Sequence, residues 1–313
     1  MHRGDVRIGI SGWNYPPWRG DFYPQGLRHT DELAYASGLL ETIEVNSTFY
    51  RLQTPTTFAR WFDQTPDDFV FAVKAPRFIT HVKRLRQFSA PLANFLASGV
   101  LRLGHKLGPI LWQLPPSFRF DEGLLADFLK QLPRDTAAAV HAARKHDDRL
   151  RTEPWLKTPS ERPMRHALEI RHESFLVSDF ITLLRKNDVA LVCADSVDWP
   201  LVMDATSDFI YCRLHGSREL YRSAYNAKAI DLWARRAKAW TQGRTPAESR
   251  LVGAAKDVSR RRDVFVFFDN TDKLQAPHDA RALMERLGQP VRQPTSATIR
   301  GIQEHGTPRT TRR

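Results

Sequence analysis

The residues best suited to chemistry stand at the ends of eight short runs of β-branched and aromatic residues. Nearly every run closes on charged or polar side chains: Glu44 and Asn46, Lys74, Gln113, Glu169 and Arg171, Asp195, Arg213 and His215, and Asp269 and Asn270. Carboxylates and imidazoles exchange protons, an amine can act as base or nucleophile, and guanidinium groups bind phosphate or carboxylate. The pattern predicts acid–base chemistry on an anionic molecule if the fold brings these ends together.

The runs alternate with helical patterns, and this alternation predicts the fold class. The runs occupy 7–11, 42–46, 69–74, 109–114, 166–171, 190–195, 209–215 and 264–270, and helical spacing follows at 31–39, 56–63, 88–103, 121–132, 174–186, 227–240 and 277–287. Such alternation indicates parallel strands with right-handed crossovers. Eight units without a glycine-rich dinucleotide fingerprint favour an α/β fold closed into a single (β/α)8 TIM-like barrel with long loops.

The domain organisation follows from length and composition. One barrel domain is expected over residues 1–290, because about 250 residues commonly form such a barrel. Residues 133–165 read as a lengthened connection between strands four and five. Residues 291–313 hold five Arg against one Glu and are rich in Thr, Pro and Gly, so they are expected to form a disordered basic tail.

Charge and hydropathy limit the classes of partner. The formal net charge is +12. A solvated basic face is the favoured explanation, and contact with nucleic acid is the alternative. No apolar run approaches the roughly 18 residues of a membrane span, so a cytoplasmic protein without a membrane partner is expected. Strand alternation points Cys193 into the barrel and Cys212 out of it, which makes a disulfide between them improbable.

In a barrel of this type all strand ends meet at one mouth, so their polar residues should form one cluster. Glu44, Lys74, Glu169, Asp195 and His215 are the predicted catalytic residues. Burial among apolar neighbours should lower the pKa of Lys74, whereas an ion pair with Glu44 would oppose this. The alternative for the whole cluster is a polar layer that ties the strands together.

A metal site is the competing interpretation of the same residues. Glu44, Glu169, Asp195, His215 and Asp269 carry suitable donor atoms, but Lys74, Arg171 and Arg213 should project into the same mouth and repel a divalent cation. No cofactor is therefore predicted, and a divalent metal is kept as the alternative. The same cations favour a small anionic ligand.

Aromatic residues crowd the first loop, WNYPPWRGDFYP. Trp13, Tyr15, Trp18, Phe22 and Tyr23 could form a lid over a flat ligand, although aromatics among prolines more often plug a barrel end, which is the favoured interpretation. Tyr221 and Tyr225, which follow Arg218, are weaker candidates for another wall of the mouth.

The sequence resembles the bacterial and archaeal family called domain of unknown function 72, also termed YecE-like. The resemblance spans about residues 7 to 290 and is carried by GISGWNYPPWRGDFYP, EVNSTFYRLQTP, FVFAVKAPRFITHVKRL, LGHKLGPILWQLPPSF, ALEIRHESF, DFIYCRLHGSRELYRSAY and VFVFFDNTDKLQAPHDA. It implies a TIM-like barrel and no particular reaction. Phe175 departs from the family, which often has Trp there.

Together, the resemblance and the strand ends give the predicted substrate-binding residues: Trp13, Tyr15, Asn46, Arg77, His81, Gln113, Arg171, His172, Arg213, Asp269 and Asn270. The leading hypothesis is an enzyme that uses acid–base residues on a small phosphate- or carboxylate-bearing substrate. A metal-dependent phosphodiesterase or nuclease is one alternative. A non-catalytic protein that binds a metabolite or nucleic acid is the other.

Overall fold

The chain closes into a barrel of eight parallel strands in sequence order, as seen in a computed structural model that describes residues 4–216, 224–259, 261–270, 274–290 and 292–294. The strands are β1 (Val6–Ser11), β2 (Thr42–Val45), β3 (Val70–Lys74), β4 (Leu107–Gln113), β5 (His166–Glu169), β6 (Ala190–Asp195), β7 (Phe209–Leu214) and β8 (Asp263–Phe268). The predicted (β/α)8 fold is confirmed, and each predicted run contains a strand.

Helices surround the barrel. They are α1 (Glu32–Leu39), α2 (Ser47–Tyr50), α3 (Pro55–Asp63), α4 (Ser89–Ala97), α5 (Glu122–Gln131), α6 (Thr136–Ala143), α7 (Ser178–Lys186), α8 (Ala227–Thr241) and α9 (Ala276–Arg286). No helix lies between β6 and β7 in the described part of the chain, as the sequence predicts. None of the described helices is long and apolar enough to cross a bilayer.

Alternation along each strand divides the buried side chains into two cores. Ala72, Leu111, Ala167, Val192 and Phe267 pack together inside the barrel. The residues next to them in sequence, such as Val73 and Leu168, pack between the strands and the helices. Because both faces of a parallel sheet are covered, the strands read as continuous apolar runs up to their polar ends.

Two connections differ from the predicted helices. The helix expected over 88–103 is interrupted at Gly99, whose φ of 110° is left-handed, and a 3₁₀ segment then covers Val100–Lys106. A side chain at Gly99 would meet Pro55, so glycine suits both the turn and the close approach. Helix α6 lies inside the long connection, where Asp135 caps the alanine-rich segment by accepting a hydrogen bond from Ala138 N at 2.7 Å.

The prediction that Cys193 points into the barrel is wrong. Cys193 and Cys212 are register partners on β6 and β7, and both thiols lie in the core between strands and helices. Both are free cysteines, and burial raises the pKa of the Cys212 thiol. The error arises from the phase of β6, in which Val192 and Ala194 face the interior.

Parts of two predictions lie outside the described residues. Arg218 and Tyr221 belong to 217–223, and most of the predicted tail belongs to 291 and 295–313. Arg292, at the start of that tail, pairs with Asp68 at 2.5 Å beneath the barrel.

Candidate active site

Arg213 lies at the centre of a charged cluster inside the barrel mouth and is 1% exposed. Its Nε donates to Glu44 Oε2 and its Nη2 donates to Glu44 Oε1, both at 2.9 Å. Glu44 also accepts hydrogen bonds from Tyr211 Oη at 2.7 Å and from Ser11 Oγ at 2.9 Å. Both oxygens of the Glu44 carboxylate are therefore engaged by buried donors.

The same guanidinium holds two further carboxylates. Arg213 Nη1 donates to Glu169 Oε2 at 2.6 Å, and Nη2 donates to Asp269 Oδ2 at 2.9 Å. The other Glu169 oxygen accepts from Arg171 Nε at 2.7 Å. Strands β2, β5, β7 and the end of β8 thus converge on one cation, which confirms that these strand ends meet at the barrel mouth.

The electrostatics of the cluster keep Glu169 and Arg213 ionised. Burial would raise the pKa of Glu169, but the charges of Arg213 and Arg171 outweigh it and hold that pKa well below its usual range. Burial likewise opposes the charge on Arg213, whereas Glu169, Glu44 and Asp269 raise its pKa well above the usual value. Glu169 therefore stays deprotonated at neutral pH and is poorly suited to donate a proton.

Lys74 differs from the other charged residues of the mouth. It is 8% exposed, and its Nζ lies 4.3 Å from the centre of the Phe49 ring. Among the described residues, no hydrogen-bond acceptor or carboxylate pairs with this amine, so the alternative ion pair with Glu44 does not form. Burial first, and then the charge of Arg213, lower the pKa of Lys74 to about 8.

Arg171 and His81 lie at the entrance to the same cluster. The Arg171 guanidinium stacks on Trp199 at 3.6 Å while its Nε binds Glu169. Burial and the charges of Lys74, Arg77 and Arg171 lower the pKa of His81 to about 4, so its imidazole is neutral. His81 also packs edge-on against Phe49, with ring centres 5.1 Å apart.

His215 is fully buried beneath these groups. Its Nδ1 lies 3.3 Å from Asp269 Oδ2, and its Nε2 accepts from Arg213 Nη1 at 3.3 Å. Burial and the charge of Arg213 lower its pKa. A neutral imidazole with its proton on Nδ1 satisfies both contacts. The geometry thus places His215 as a neutral member of the network.

Several predicted site residues lie apart from this cluster. Asp195 points toward the helices and accepts from Tyr225 Oη at 2.9 Å. Asn270 donates to Asp279 on α9 at 2.6 Å, and His172 Nδ1 accepts from Ser174 N at 3.0 Å, which caps a short 3₁₀ turn. Gln113 is buried at the end of β4, and Arg77 is exposed beyond β3.

Trp13, Tyr15 and Asn46 border a separate cavity of about 520 Å³ beside the mouth. Asn46 does not share the Glu44 face as alternation predicts, because β2 ends at Val45 and the backbone of Asn46 is already helical. Trp18, Phe22 and Tyr23 of the first loop are buried, in keeping with a plug. Trp13 and Tyr15 are only partly buried and remain beside the cavity.

Four further residues contact the charged groups of the mouth and are not predicted from the sequence: Ser11, Phe49, Trp199 and Tyr211. Tyr211 precedes Arg213 by two positions on β7 and therefore faces the same interior. That spacing could have identified it. Trp199 and Phe49 lie after their strands, where alternation gives no information about direction.

Comparison with known proteins places the chain in a family. The family model described as "Protein of unknown function DUF72" matches residues 7–303 of the sequence. The chain belongs to this family. It is 26% identical over 289 residues to the UPF0759 protein YecE of Escherichia coli K12, covering 90% of this chain and 92% of YecE. The UPF0759 protein YunF of Bacillus subtilis is 27% identical over 124 residues, covering 36% of this chain and 41% of YunF.

Solved structures of DUF72 proteins share the fold. The Thermotoga maritima protein superposes with a TM-score of 0.68 at 22% identity, covering 91% of this chain and all of its own. The Enterococcus faecalis protein gives 0.63 at 17% identity, covering 93% of this chain and all of its own. At these identities the likeness shows the TIM-like barrel fold of this DUF72 member.

Proposed function

We propose that the protein is an enzyme that binds a small phosphate- or carboxylate-bearing substrate at the barrel mouth, with Lys74 as its base or nucleophile. The observation that carries the proposal is the contrast between Lys74 and the carboxylates around it. All four oxygens of Glu44 and Glu169 accept hydrogen bonds, whereas the Lys74 amine faces the Phe49 ring. The Lys74 amine is therefore available to take a proton from the substrate or to attack it.

The lowered pKa makes that amine usable near neutral pH. With a pKa of about 8, roughly a tenth of Lys74 is neutral at pH 7, whereas an ordinary lysine is almost entirely protonated. A neutral amine can take a proton or attack a carbonyl carbon. The charge of Arg213 helps to lower the pKa of this amine, whereas Glu44, Glu169 and Asp269, which bind Arg213, raise it.

Arg171 supplies the anchor for the anionic group of the substrate. Its Nε is bound to Glu169, and no acceptor in the described part of the chain engages its two Nη atoms. Stacking on Trp199 orients the guanidinium plane. Two parallel N–H groups of this kind match the two oxygens of a carboxylate or phosphate. We assign Arg171 to binding and Lys74 to chemistry.

Reductive trapping with glyoxylate tests both assignments without knowledge of the natural substrate. The Lys74 amine would condense with the aldehyde carbon to form an imine and release water, and borohydride would then deliver hydride to the imine carbon. Peptide mapping should show Lys74 labelled at least tenfold faster than exposed Lys130 at pH 8, with a midpoint near that pH. Equal labelling of the two lysines would refute the role of Lys74.

A paired aldehyde separates binding from reactivity. Arg171→Met should slow labelling of Lys74 by glyoxylate, which carries a carboxylate, and leave labelling by neutral acetaldehyde nearly unchanged. Arg144→Met, a change at an exposed residue after α6, is the matched control. If Arg171→Met slowed both aldehydes equally, Arg171 would not be an anion anchor.

A further inference from the structure

Apolar side chains are exposed around the barrel mouth. The large hydrophobic residues that are exposed in the described part of the chain all follow strands at their carboxyl ends: Tyr50, Phe78, Val82, Leu176, Val177, Val197 and Leu274. Tyr50 is 71% exposed and Phe78 is 39% exposed. Of these residues, Tyr50 and Phe78 line one common cavity.

One cavity on this face combines aromatic rings with arginines. It has a volume of about 230 Å³, and its lining includes Phe49, Tyr50, Arg51, Arg77, Phe78 and Arg149. We call it the arginine groove. Its walls come from the segments after β2 and β3 and from the long connection between β4 and β5. Three separate parts of the chain therefore each bring one guanidinium to a single cavity.

Two of the three segments that line the arginine groove carry only positive charge. Residues 46–54 and 75–88 contain Arg51, Arg77, Lys83, Arg84 and Arg86 and no Asp or Glu. Within the described ranges, Arg51, Arg77 and Arg149 make no ion pair and no side-chain hydrogen bond. Guanidinium groups in this state bind phosphate readily, because their planar N–H donors match its oxygens.

Asp147, two residues before Arg149, hydrogen-bonds within the protein and holds this part of the groove in place. Asp147 Oδ1 accepts from Asn94 Nδ2 at 2.7 Å, and Asp147 N donates to Asn94 Oδ1 at 2.9 Å. Asp147 Oδ1 also accepts from the backbone N of Arg149 at 3.1 Å. This reciprocal pair fixes the segment that carries Arg149 against α4. The acid thus positions an arginine and leaves its guanidinium available.

We propose that the arginine groove binds a flat ring that carries a phosphate group, with a nucleoside monophosphate as the simplest ligand of that chemistry. The exposed rings of Tyr50 and Phe78 offer stacking surfaces, and the three guanidiniums offer phosphate donors. The volume lies just below the range of about 300–1,000 Å³ of drug-sized ligand pockets, which suits one nucleotide better than two.

The arginine groove is distinct from the reacting groups but adjacent to them. Phe49 lines the groove and also contacts Lys74, at 4.3 Å from Nζ to the ring centre. Ligand binding there requires no turnover at the mouth, so the proposal does not rest on the proposed function. Loss of AMP binding in the groove variants would test the present proposal, whereas loss of aldehyde labelling at Lys74 would test the proposed function.

Thermal shift and calorimetric titration of the full chain with AMP test the proposal. AMP should raise Tm in a saturable way, while adenosine alone and inorganic phosphate alone should act much more weakly. Arg149→Ala and Arg77→Ala should each weaken AMP binding about tenfold. Phe78→Ala should weaken AMP binding and leave the residual response to phosphate unchanged.

Matched variants keep the result interpretable. Arg144→Ala, which changes an exposed arginine five positions before Arg149 and outside the groove lining, should bind AMP as the unchanged chain does. Lys74→Met should also retain AMP binding within about twofold. The proposal fails if phosphate alone matches AMP, if the groove variants bind AMP normally, or if only a single-stranded oligonucleotide binds.

Discussion

Arg213 on β7 grips both carboxylate oxygens of Glu44 on β2, with Nε and Nη2 each 2.9 Å from their acceptors. The two strands are not neighbours in the barrel, so the pair braces the mouth across its interior. Glu169 and Asp269 bind the same guanidinium. Three buried anions therefore share one buried cation.

Arg213→Met should destabilise the protein severely. Removing the cation takes a charged partner from three buried carboxylates at once, and breaking buried pairs of this kind costs about 3–5 kcal/mol. Urea denaturation at pH 7 measures the change, with Arg144→Met as the surface control. A loss below about 0.5 kcal/mol, the usual scale of a surface substitution, would show that the network does not hold the mouth.

Tyr211→Phe isolates one hydrogen bond of the network. Phenylalanine keeps the ring that packs on Phe267 but removes the hydroxyl that donates to Glu44 at 2.7 Å. We expect a loss of about 1–3 kcal/mol in the free energy of unfolding, because a buried carboxylate loses a donor. Tyr50→Phe, at an exposed ring, should be nearly neutral. Equal effects of the two substitutions would contradict this expectation.

Lys74→Met should stabilise the folded chain at pH 7, by roughly 1–3 kcal/mol. The pKa of Lys74 is about 8 in the folded state and about 10.4 when unfolded, so the folded state binds its proton less tightly. Stability of the unchanged protein should consequently rise between about pH 8 and pH 10.4. The variant should lack that rise in urea titrations across this window, and a parallel pH dependence in both proteins would refute the lowered pKa.

Divalent metal should have little effect on the mouth. The carboxylate oxygens of Glu44 and Glu169 already accept hydrogen bonds from Arg213, Arg171, Tyr211 and Ser11, so a cation there would have to displace a guanidinium. We expect chelation with EDTA to leave Tm unchanged and elemental analysis to find well under one metal per chain. Stoichiometric Zn, Mn or Fe that is lost in Glu169→Ala would instead support the phosphodiesterase alternative.

Much of the fold could be predicted because its signals are local. Each strand coincides with a short run of β-branched and aromatic residues, and the spacing of apolar residues predicts each main helix after it. Helix α6 is not predicted from the sequence, although Asp135 and the alanines after it form a recognisable helix start, because the high charge around it favours a loop. The phase of β6 was assigned wrongly, since a run that is apolar on both faces shows no alternation from which to read direction.

The gathering of polar residues at one end of the barrel follows from the sequence, because parallel strands of one barrel all finish on the same side. Which of these residues contact one another is set by the folded structure. Glu44 binds Arg213 rather than Lys74, Asp195 turns outward to Tyr225, and Asn46 leaves the strand face for a neighbouring cavity. Those choices depend on distances of a few ångströms across the barrel, where competing charges differ in burial and geometry, and no local spacing encodes them.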